Sequence, residues 1–408
     1  MQISSEYQTD HLLLLVGTNP LPNLVAARLL LKEKGTLHLI HSQDTALVAQ
    51  RLYEFLTPDY AVKMPPAVKE AEAEDVERGI AEQVRALQGS VGLHYTGGTK
   101  VMSVHAYRAV ERALQRAASP PVFSYLDASS FELRIDPGWH EKVLLAVRPK
   151  LKDLVRLHAC RLQRNSPKGA DAIVLPRTAA ALAQAAPDGG LQVWRAWCNS
   201  ELRPIARAGN KWKRNRQLPD AILTLPDDPV LAPAMETLQA ELGLPRGGGE
   251  LLLDPNKLDW PFRKRKLSYL CQWLDGEWLE QYVLAQIVAV ADACQIHDSG
   301  MSLNTDRDAS AFDFEFDVAA MRGYQFFGIS CTTDERLAKS KLFEAYIRAR
   351  HLGGDEARIG LISGSSKTDK LEQQVTQSWE AQGKIRVFGP QHLPQLDKHL
   401  IRWFQTAQ

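Results

Sequence analysis

The stretch AFDFEFDVAAMRGYQFFGISCTTDERLAKSKLFE, residues 311–344, decides how the chain reads. A strand over Phe312–Val318 has a side-chain period of two, so Phe312, Phe314 and Phe316 share one face and Asp313, Glu315 and Asp317 the other. The aromatic face belongs in a core and the acidic face opens to a cleft. Three carboxylates on one short strand repel one another, so a cation, a shared proton or bulk water is needed to make them tolerable. A divalent metal is the preferred reading; a solvated acidic edge strand is the alternative. Ala319–Gly323 reads as a turn, Tyr324–Cys331 as a second strand completing a hairpin, and the helix that follows carries Lys339 and Lys341. An acidic strand, a partner strand and a lysine-bearing helix form the layout of a metal-dependent phosphodiester-cleaving core.

The 408 residues leave room for two or three domains, each with its own core. With 49 basic against 48 acidic side chains the net charge is +1, so any nucleic-acid contact must come from local patches. Two patches exist. Lys211, Lys213, Arg214 and Arg216 flank Trp212, and Arg263 to Lys266 follow Trp260 and Phe262. Their competing reading is a solvated charged face. The five cysteines are scattered and never spaced as CxxC, which argues against a zinc site or a disulfide frame and for a reducing cytoplasm. The N-terminus has acidic residues where a secretory signal carries basic ones, and its apolar run is too short to span a bilayer. A soluble cytoplasmic protein with no membrane partner is expected.

Outward from that stretch toward the N-terminus, apolar runs alternate with amphipathic segments. LLLLVG (12–17), TLHLIHS (36–42), YAVKM (60–64), SVGLHYTGG (90–98) and PVFSYLD (121–127) read as strands, the first four each followed by a helix. The alternation predicts a parallel, doubly wound α/β sheet of Rossmann type, closed by a hairpin through FELRID (131–136). Ligands of such sheets sit beyond the carboxyl ends of the strands, which singles out Gly17–Asn23 and Thr96–Lys100. In the second loop two glycines turn backbone amides outward, Thr99 caps the next helix and Lys100 adds charge at its positive end. This is an anion cradle, though neither a Walker A loop nor a GxGxxG fingerprint. Thr18 and Asn19 add a hydroxyl and an amide at the neighbouring strand end.

On LLLLVGTNPLPNLVAA and LHYTGGTKVMSVHAY, residues 1–138 resemble a CARF domain, the CRISPR-associated Rossmann fold that binds cyclic oligoadenylates across a homodimer interface. The resemblance implies Thr18, Asn19, Thr96, Gly97, Gly98, Thr99 and Lys100 as effector-binding residues. A two-fold pocket suits such a ring, because each subunit offers the same amides to alternate phosphates. Residues 139–249 read as a connecting mixed region, with a helix over Leu151–Arg164, a short strand over Ala172–Leu175 and an alanine-rich helix; Trp194 and Trp197 are assigned to the core.

From Glu250 the order is a strand (ELLLD), a long helix over Gly276–Ala293, three strands, a helix over Glu335–Leu352, then RIGLISG, a helix, KIRVFG and a helix. With GEWLEQYV, FEFDV, FGISC and KLFEAYIRARHLGGDEA in that order, residues 250–408 resemble the αβββαβ core of the PD-(D/E)xK nucleases, as found in CRISPR ancillary nucleases beside a CARF domain. The likeness implies Glu280, Glu315 and Asp317 as ligands of Mn2+ or Mg2+, an ion that lowers the pKa of water and acts as a Lewis acid. It also implies an acid and a lysine two apart on the second strand, where this chain has Ser330, Cys331 and Thr332. Lys341 is therefore expected to supply the missing amine, with Lys339 as second choice. Leu337, Lys341, Glu344 and Arg348 form one stripe of their helix, which lets Lys341 point back to the strands. Ser330 can still orient a water, and Cys331 is expected on the opposite face, buried and inert. Together the resemblances imply an endonuclease of type III CRISPR antiviral defence, switched on by a cyclic oligoadenylate, with cyclic tetra-adenylate the first candidate and the ring size left open by the sequence, and cutting DNA and/or RNA. A non-catalytic sensor with a degenerate nuclease domain, and a ring nuclease in which Thr18 or Lys100 assists attack on the effector, are the alternatives.

Overall fold

The computed structural model describes residues 3–214, 218, 221–245, 247, 249–254, 258, 267–306, 314–334, 336 and 338–407. Phe312, Asp313, Arg216, Trp260, Phe262, Arg263 to Lys266, Glu335 and Leu337 lie outside the described residues.

The N-terminal unit alternates β1 (Thr9–Leu15), α1 (Leu21–Leu30), β2 (Leu31–Ile40), α2 (Ala46–Leu56), β3 (Ala61–Lys63), α3 (Ala73–Arg85), β4 (Val91–His94), α4 (Lys100–Ala113) and β5 (Val122–Asp127). The hairpin strands β6 (Glu132–Ile135) and β7 (Trp139–Lys142) follow. The sheet order is β3-β2-β1-β4-β5-β6-β7, parallel as far as β5 and antiparallel at the hairpin. Leu12 to Leu15 are buried as an unbroken run because helices cover both faces, the condition a parallel sheet imposes. The strand order reverses between β1 and β4, so the predicted loops meet at the switch point of a Rossmann-like sheet.

The middle region holds α5 (Leu151–Leu157), α6 (Pro176–Ala185), α7 (Gly190–Trp197), a π-helical turn (Cys198–Leu202), α8 (Arg203–Ala206), the hairpin β8 (Arg207–Ala208) and β9 (Lys211–Trp212), β10 (Ile222–Thr224), α9 (Ala232–Glu241) and β11 (Glu250–Leu252). Three sequence expectations are corrected here. The helix expected to reach Arg164 ends at Leu157, because Ala159 turns left-handed (φ 55°) and the chain then runs out to bridge Thr305 through Leu162. Ala172–Leu175 is no strand: its amide at Val174 donates to the Gln281 side chain at 2.7 Å instead of to a ladder. The strand at Glu250 does not head the last sheet, since it pairs antiparallel with β10.

The C-terminal unit runs α10 (Leu267–Gln272), a second π-helical turn (Trp273–Glu277), α11 (Trp278–Cys294), β12 (Ile296–Asn304), β13 (Glu315–Arg322), β14 (Gln325–Thr332), α12 (Ala338–Gly353), β15 (Arg358–Ser363), α13 (Thr368–Ser378), β16 (Ile385–Phe388) and α14 (Leu396–Thr406). Its five strands stand in sequence order, antiparallel through β14 and parallel from there to β16. This is the expected order of helix, three strands, helix and strand. The turn expected over Ala319–Gly323 is instead the second half of β13. Ala319 and Ala320 are wholly buried, and pairing on both edges overrides their weak strand preference. Only Gly323 and Tyr324 make the turn, where Gly323 has φ 55° and a side chain would strike the Leu144 carbonyl.

Two apolar layers flank this sheet. Val318, Ala320, Phe327 and Ile329 pack with α11, α14 and the middle-region helices, including Trp194 and Trp197. Ala319, Met321, Phe326 and Leu361 pack with α12, and that layer continues without interruption into Leu12, Leu14 and Leu37 of the N-terminal sheet. All five cysteines are buried and unbridged, as their spacing implied. Among the described residues no helix is long and apolar enough to cross a membrane.

Candidate active site

The β13–β14 ladder runs from Arg322 opposite Gln325 to Val318 opposite Ile329 and stops. Beyond it the Asp317 carboxylate takes the Cys331 amide at 2.6 Å, so a side chain stands where the two strands part. Asp317 is thus buried (8 % exposed), which corrects the open acidic face the alternation suggested. Phe314 and Phe316 are buried as expected, while Glu315 is exposed at the strand's start.

Lys341, in the first turn of α12, reaches down to this point. Its Nζ lies 3.3 Å from Asp317 Oδ2 and donates to the Cys331 carbonyl at 2.9 Å. Lys339, two residues earlier on the helix, is exposed and turned elsewhere, since residues two apart do not share a helix face. Burial alone would depress the Lys341 ammonium, but Asp317, Cys331 and Glu280 together hold it above the ordinary lysine value. Glu280, near the start of α11, shows the opposite balance. Burial, then the charges of Asp317 and Glu277, push its carboxyl well above the usual range, with Lys341 pulling the other way and Glu315 adding a weaker push. Ser330 is buried inside β14 opposite Leu361. Cys331 rather than Ser330 borders the cleft, with its thiol pushed up by burial and by Asp317 and Glu280. That reverses the faces expected for the two, while the burial expected of Cys331 is found.

Among the described residues no three acidic, histidine or cysteine side chains stand together as a ready metal cage. The donor set at the site is nonetheless all carboxylate oxygen, the chemistry a hard dication takes. The burial and carboxylate crowding that push the Glu280 carboxyl upward are what such an ion would relieve.

The cleft above these groups, about 470 Å³, has a second wall that the sequence did not announce. Trp194 of α7 donates its indole N–H to the Leu274 carbonyl at 2.9 Å and anchors the middle region on the π-helical turn before α11. Trp197 likewise donates to the Thr224 carbonyl at 2.6 Å, so the tryptophan pair is structural. On this support Arg203 and Arg207 grip Asp275 at 2.7 and 2.9 Å. Arg195 grips Asp334 and donates to the Thr333 carbonyl at 2.9 Å. The three arginines belong to the middle region, Asp275 to the turn before α11, and Asp334 follows β14.

At the other sheet, Gly17 and Gly97 lie backbone to backbone. A side chain on Gly97 would fall 2.1 Å from the Leu15 carbonyl. Gly98 has φ 77°, and the Thr99 hydroxyl accepts from the Met102 amide at 3.2 Å, capping α4 as expected. Thr18 and Lys100 are exposed at the loop tips. Thr96 and Asn19 are committed internally: the Thr96 hydroxyl accepts from the Leu126 amide at 2.6 Å, and Asn19 Oδ1 accepts from the Leu21 amide at 3.0 Å. Asn19 also abuts Gly354, just past α12, where a side chain would meet its Nδ2 at 2.2 Å.

Residues 268–407 match the family described as the Card1-like endonuclease domain. Over nearly the whole chain the fold is similar to that of protein VC1899 from Vibrio cholerae, with a TM-score of 0.72 at 17% identity, covering 97% of this chain and 98% of that one. It is also similar to Can2 from Sulfobacillus thermosulfidooxidans, solved in complex with cyclic tetra-adenylate, with a TM-score of 0.69 at 16% identity over 97% and 99% of the two chains. No curated protein matches the sequence.

Within residues 268–407, then, Glu280, Asp317 and Lys341 come together, while Glu315 stays at the rim and Lys339 and Ser330 stand apart. Sequence reasoning missed Arg195, Arg203, Arg207, Asp275 and Asp334. Only the basic run around Trp212 hinted at them, and Trp212 lines the same cleft as Glu280 and Lys341.

Proposed function

We propose that this chain is an endonuclease of type III CRISPR defence, acting in the cytoplasm on DNA or RNA after cyclic tetra-adenylate binds at the switch point of its N-terminal sheet. The observation that carries the reading is Lys341 seated 3.3 Å from a buried Asp317 in a Card1-like domain, because it restores the amine missing from β14. Can2, of the same fold, is a cyclic tetra-adenylate complex, which supports the choice of effector.

Each residue has a physical task. The Cys331 amide and Lys341 fix the Asp317 carboxylate in one orientation, so it needs no rearrangement to act. Lys341 puts a positive charge where negative charge grows on the phosphate. Burial and the neighbouring carboxylates raise the Glu280 carboxyl above its ordinary range, and a bound cation would pull it back down. Glu280 and Asp317, with Glu315 at the rim, would hold Mg2+ or Mn2+. Such an ion would supply Lewis acidity and lower the pKa of water.

At the effector end, outward amides at Gly97 and Gly98, the positive end of α4 and Lys100 form an anion cradle. Val101 and Val104 lie exposed beside it on α4 at 38% and 55%. Two apolar residues three apart on a helix face water only at a cost, and pairing of two subunits would cover them. In analytical ultracentrifugation the unaltered chain should sediment as a dimer and Val104→Glu as a monomer; dimers of the variant would remove this support.

The deciding experiment incubates the protein with Mg2+ or Mn2+, supercoiled plasmid and single-stranded RNA, with and without cyclic tetra-adenylate. Cleavage should need both ion and effector. Effector binding without cleavage of any polymer would make the chain a sensor, and loss of the effector itself in an Asp317→Ala variant would make it a ring nuclease.

A further inference from the structure

We infer that the cavity of about 580 Å³ between α2, α5 and residues 159–166 is a binding site for a free adenine mononucleotide. It shares no residue with the effector loops or the catalytic cleft, and it stands whether or not the chain is a nuclease.

Its rim is cationic. Arg51 of α2 and Lys152 and Arg156 of α5 border the cavity, and none of the three has a carboxylate partner among the described residues. Arg161 is a fourth cation, left out of the count because Asp306 meets it there, donating its amide to the Arg161 carbonyl at 2.6 Å. Among the described residues Glu54 is the one carboxylate on the lining, and its Oε1 already accepts from Gln50 at 2.8 Å. Asp153, beside Lys152, is turned to the Lys150 amide at 2.9 Å. Three cations against one carboxylate leave two positive charges unmatched, close to the ~1.5 to 2 negative charges of a phosphate monoester at neutral pH. The field reaches the neighbouring imidazoles: burial, His351 and Arg51 hold His158 down to about 3, and burial with Arg51 lowers His351.

The floor is apolar, made by Phe55, Val155 and Leu162. Arg156 lays its guanidinium over the Phe55 ring at 5.5 Å, and planes of this kind take a base by its face. Gln163 and Asn165 bring side-chain amides to the same cavity, uncommitted among the described residues. An amide sets a donor beside an acceptor, the pattern that matches N6 and N7 of adenine. The wall that carries them is fixed before any ligand arrives. Leu162 bridges Thr305, the Gln163 amide donates to the Asn304 carbonyl at 2.9 Å, and the Ser166 hydroxyl donates to the Ser302 carbonyl at 2.8 Å. Near its two ends Ala159 and Asn165 turn left-handed, at φ 55° and 64°, a conformation that side chains rarely adopt and that the surrounding contacts must hold. A wall already ordered loses little freedom on binding. The volume falls within the ~300–1,000 Å³ of small-molecule sites and exceeds what a bare phosphate fills.

The test is isothermal titration of AMP into the full chain, with UMP and inorganic phosphate as comparison titrants. AMP should bind, UMP on the order of tenfold more weakly, and phosphate more weakly still. Arg156→Ala should weaken AMP on the order of tenfold, and Arg156→Lys should restore only part, because lysine returns the charge without the plane. Arg156 is exposed, so both variants should melt as the unaltered chain does. Lys100→Ala should leave AMP binding unchanged. Four results would each overturn the inference: no heat with AMP up to about 1 mM, the weak end of specific binding; equal affinity for phosphate and AMP, which would make this a bare anion site; unchanged affinity in Arg156→Ala; or loss in Lys100→Ala, which would put AMP in the cradle at α4 instead.

Discussion

Lys341 sits one helical turn above the strand that would ordinarily carry the amine, and its long stem makes the move possible. The stripe it occupies on its helix was legible in the sequence, because a 3.6-residue period fixes which side chains share a face. Asp317's burial was not legible. A period of two assigns faces to an unbroken strand, and here the ladder stops one residue short, at Val318. Lys341→Ala is expected to lower the cleavage rate on the order of 10²-fold, the size of a lost charge stabiliser, while Lys339→Ala changes it little. Equal rates for the two variants would return the amine's role to another group. Glu356 offers a separate test by pH. Burial raises its carboxyl to about 7, assisted by Asp355 and opposed by its own amide and by Arg358. A folded pKa above the unfolded value means that this group's stabilising contribution is present at low pH and is lost as pH climbs through about 7. The melting temperature should accordingly fall across that window, and Glu356→Gln should flatten the fall; parallel curves for both proteins would show that another group titrates.

Elements were legible where their pattern was long. The alternation that predicted the Rossmann-type sheet is present strand for strand, and the helix-and-strand order of the last unit holds from α11 to α14. Short pieces failed for identifiable reasons: Ala319 and Ala320 look like turn residues until sheet partners bury them, and Val174 finds a side-chain acceptor before it finds a strand. The wall carrying Arg203 and Arg207 could not be read at all. Its residues meet Asp275 across about seventy positions of sequence, a contact that no local pattern encodes. The Gly17 and Gly97 pair, at the loops proposed for the effector, gives the sharpest element-level prediction. Gly97→Ala puts a methyl 2.1 Å from the Leu15 carbonyl, so β1 and the loop must separate. We expect a loss of about 1–3 kcal/mol in stability. Calorimetry should find effector binding abolished, whereas Lys100→Ala should bind more weakly yet melt normally. Tight binding by Gly97→Ala would mean the effector sits elsewhere.

At the scale of the molecule, one apolar layer joins Leu12 and Leu37 of the first sheet to Met321 and Phe326 of the second. Two units that share a core cannot unfold one at a time without exposing the shared surface. A single calorimetric transition is expected, and cyclic tetra-adenylate should raise its midpoint as a whole, by about 2.7 kcal/mol of added stability at a hundred times the dissociation constant. Two resolved transitions, only one of them responsive, would contradict this. The same continuity gives α12 a mechanical meaning. Its sixteen residues form a rod of roughly 24 Å, with Lys341 in its first turn and the residue just past its far end lodged against Asn19. A rod transmits a push without shortening. The ammonium is 3.3 Å from its carboxylate, near the outer limit of a hydrogen bond, so a stroke of about 1 Å at the Asn19 end is enough to make or break the contact at the other.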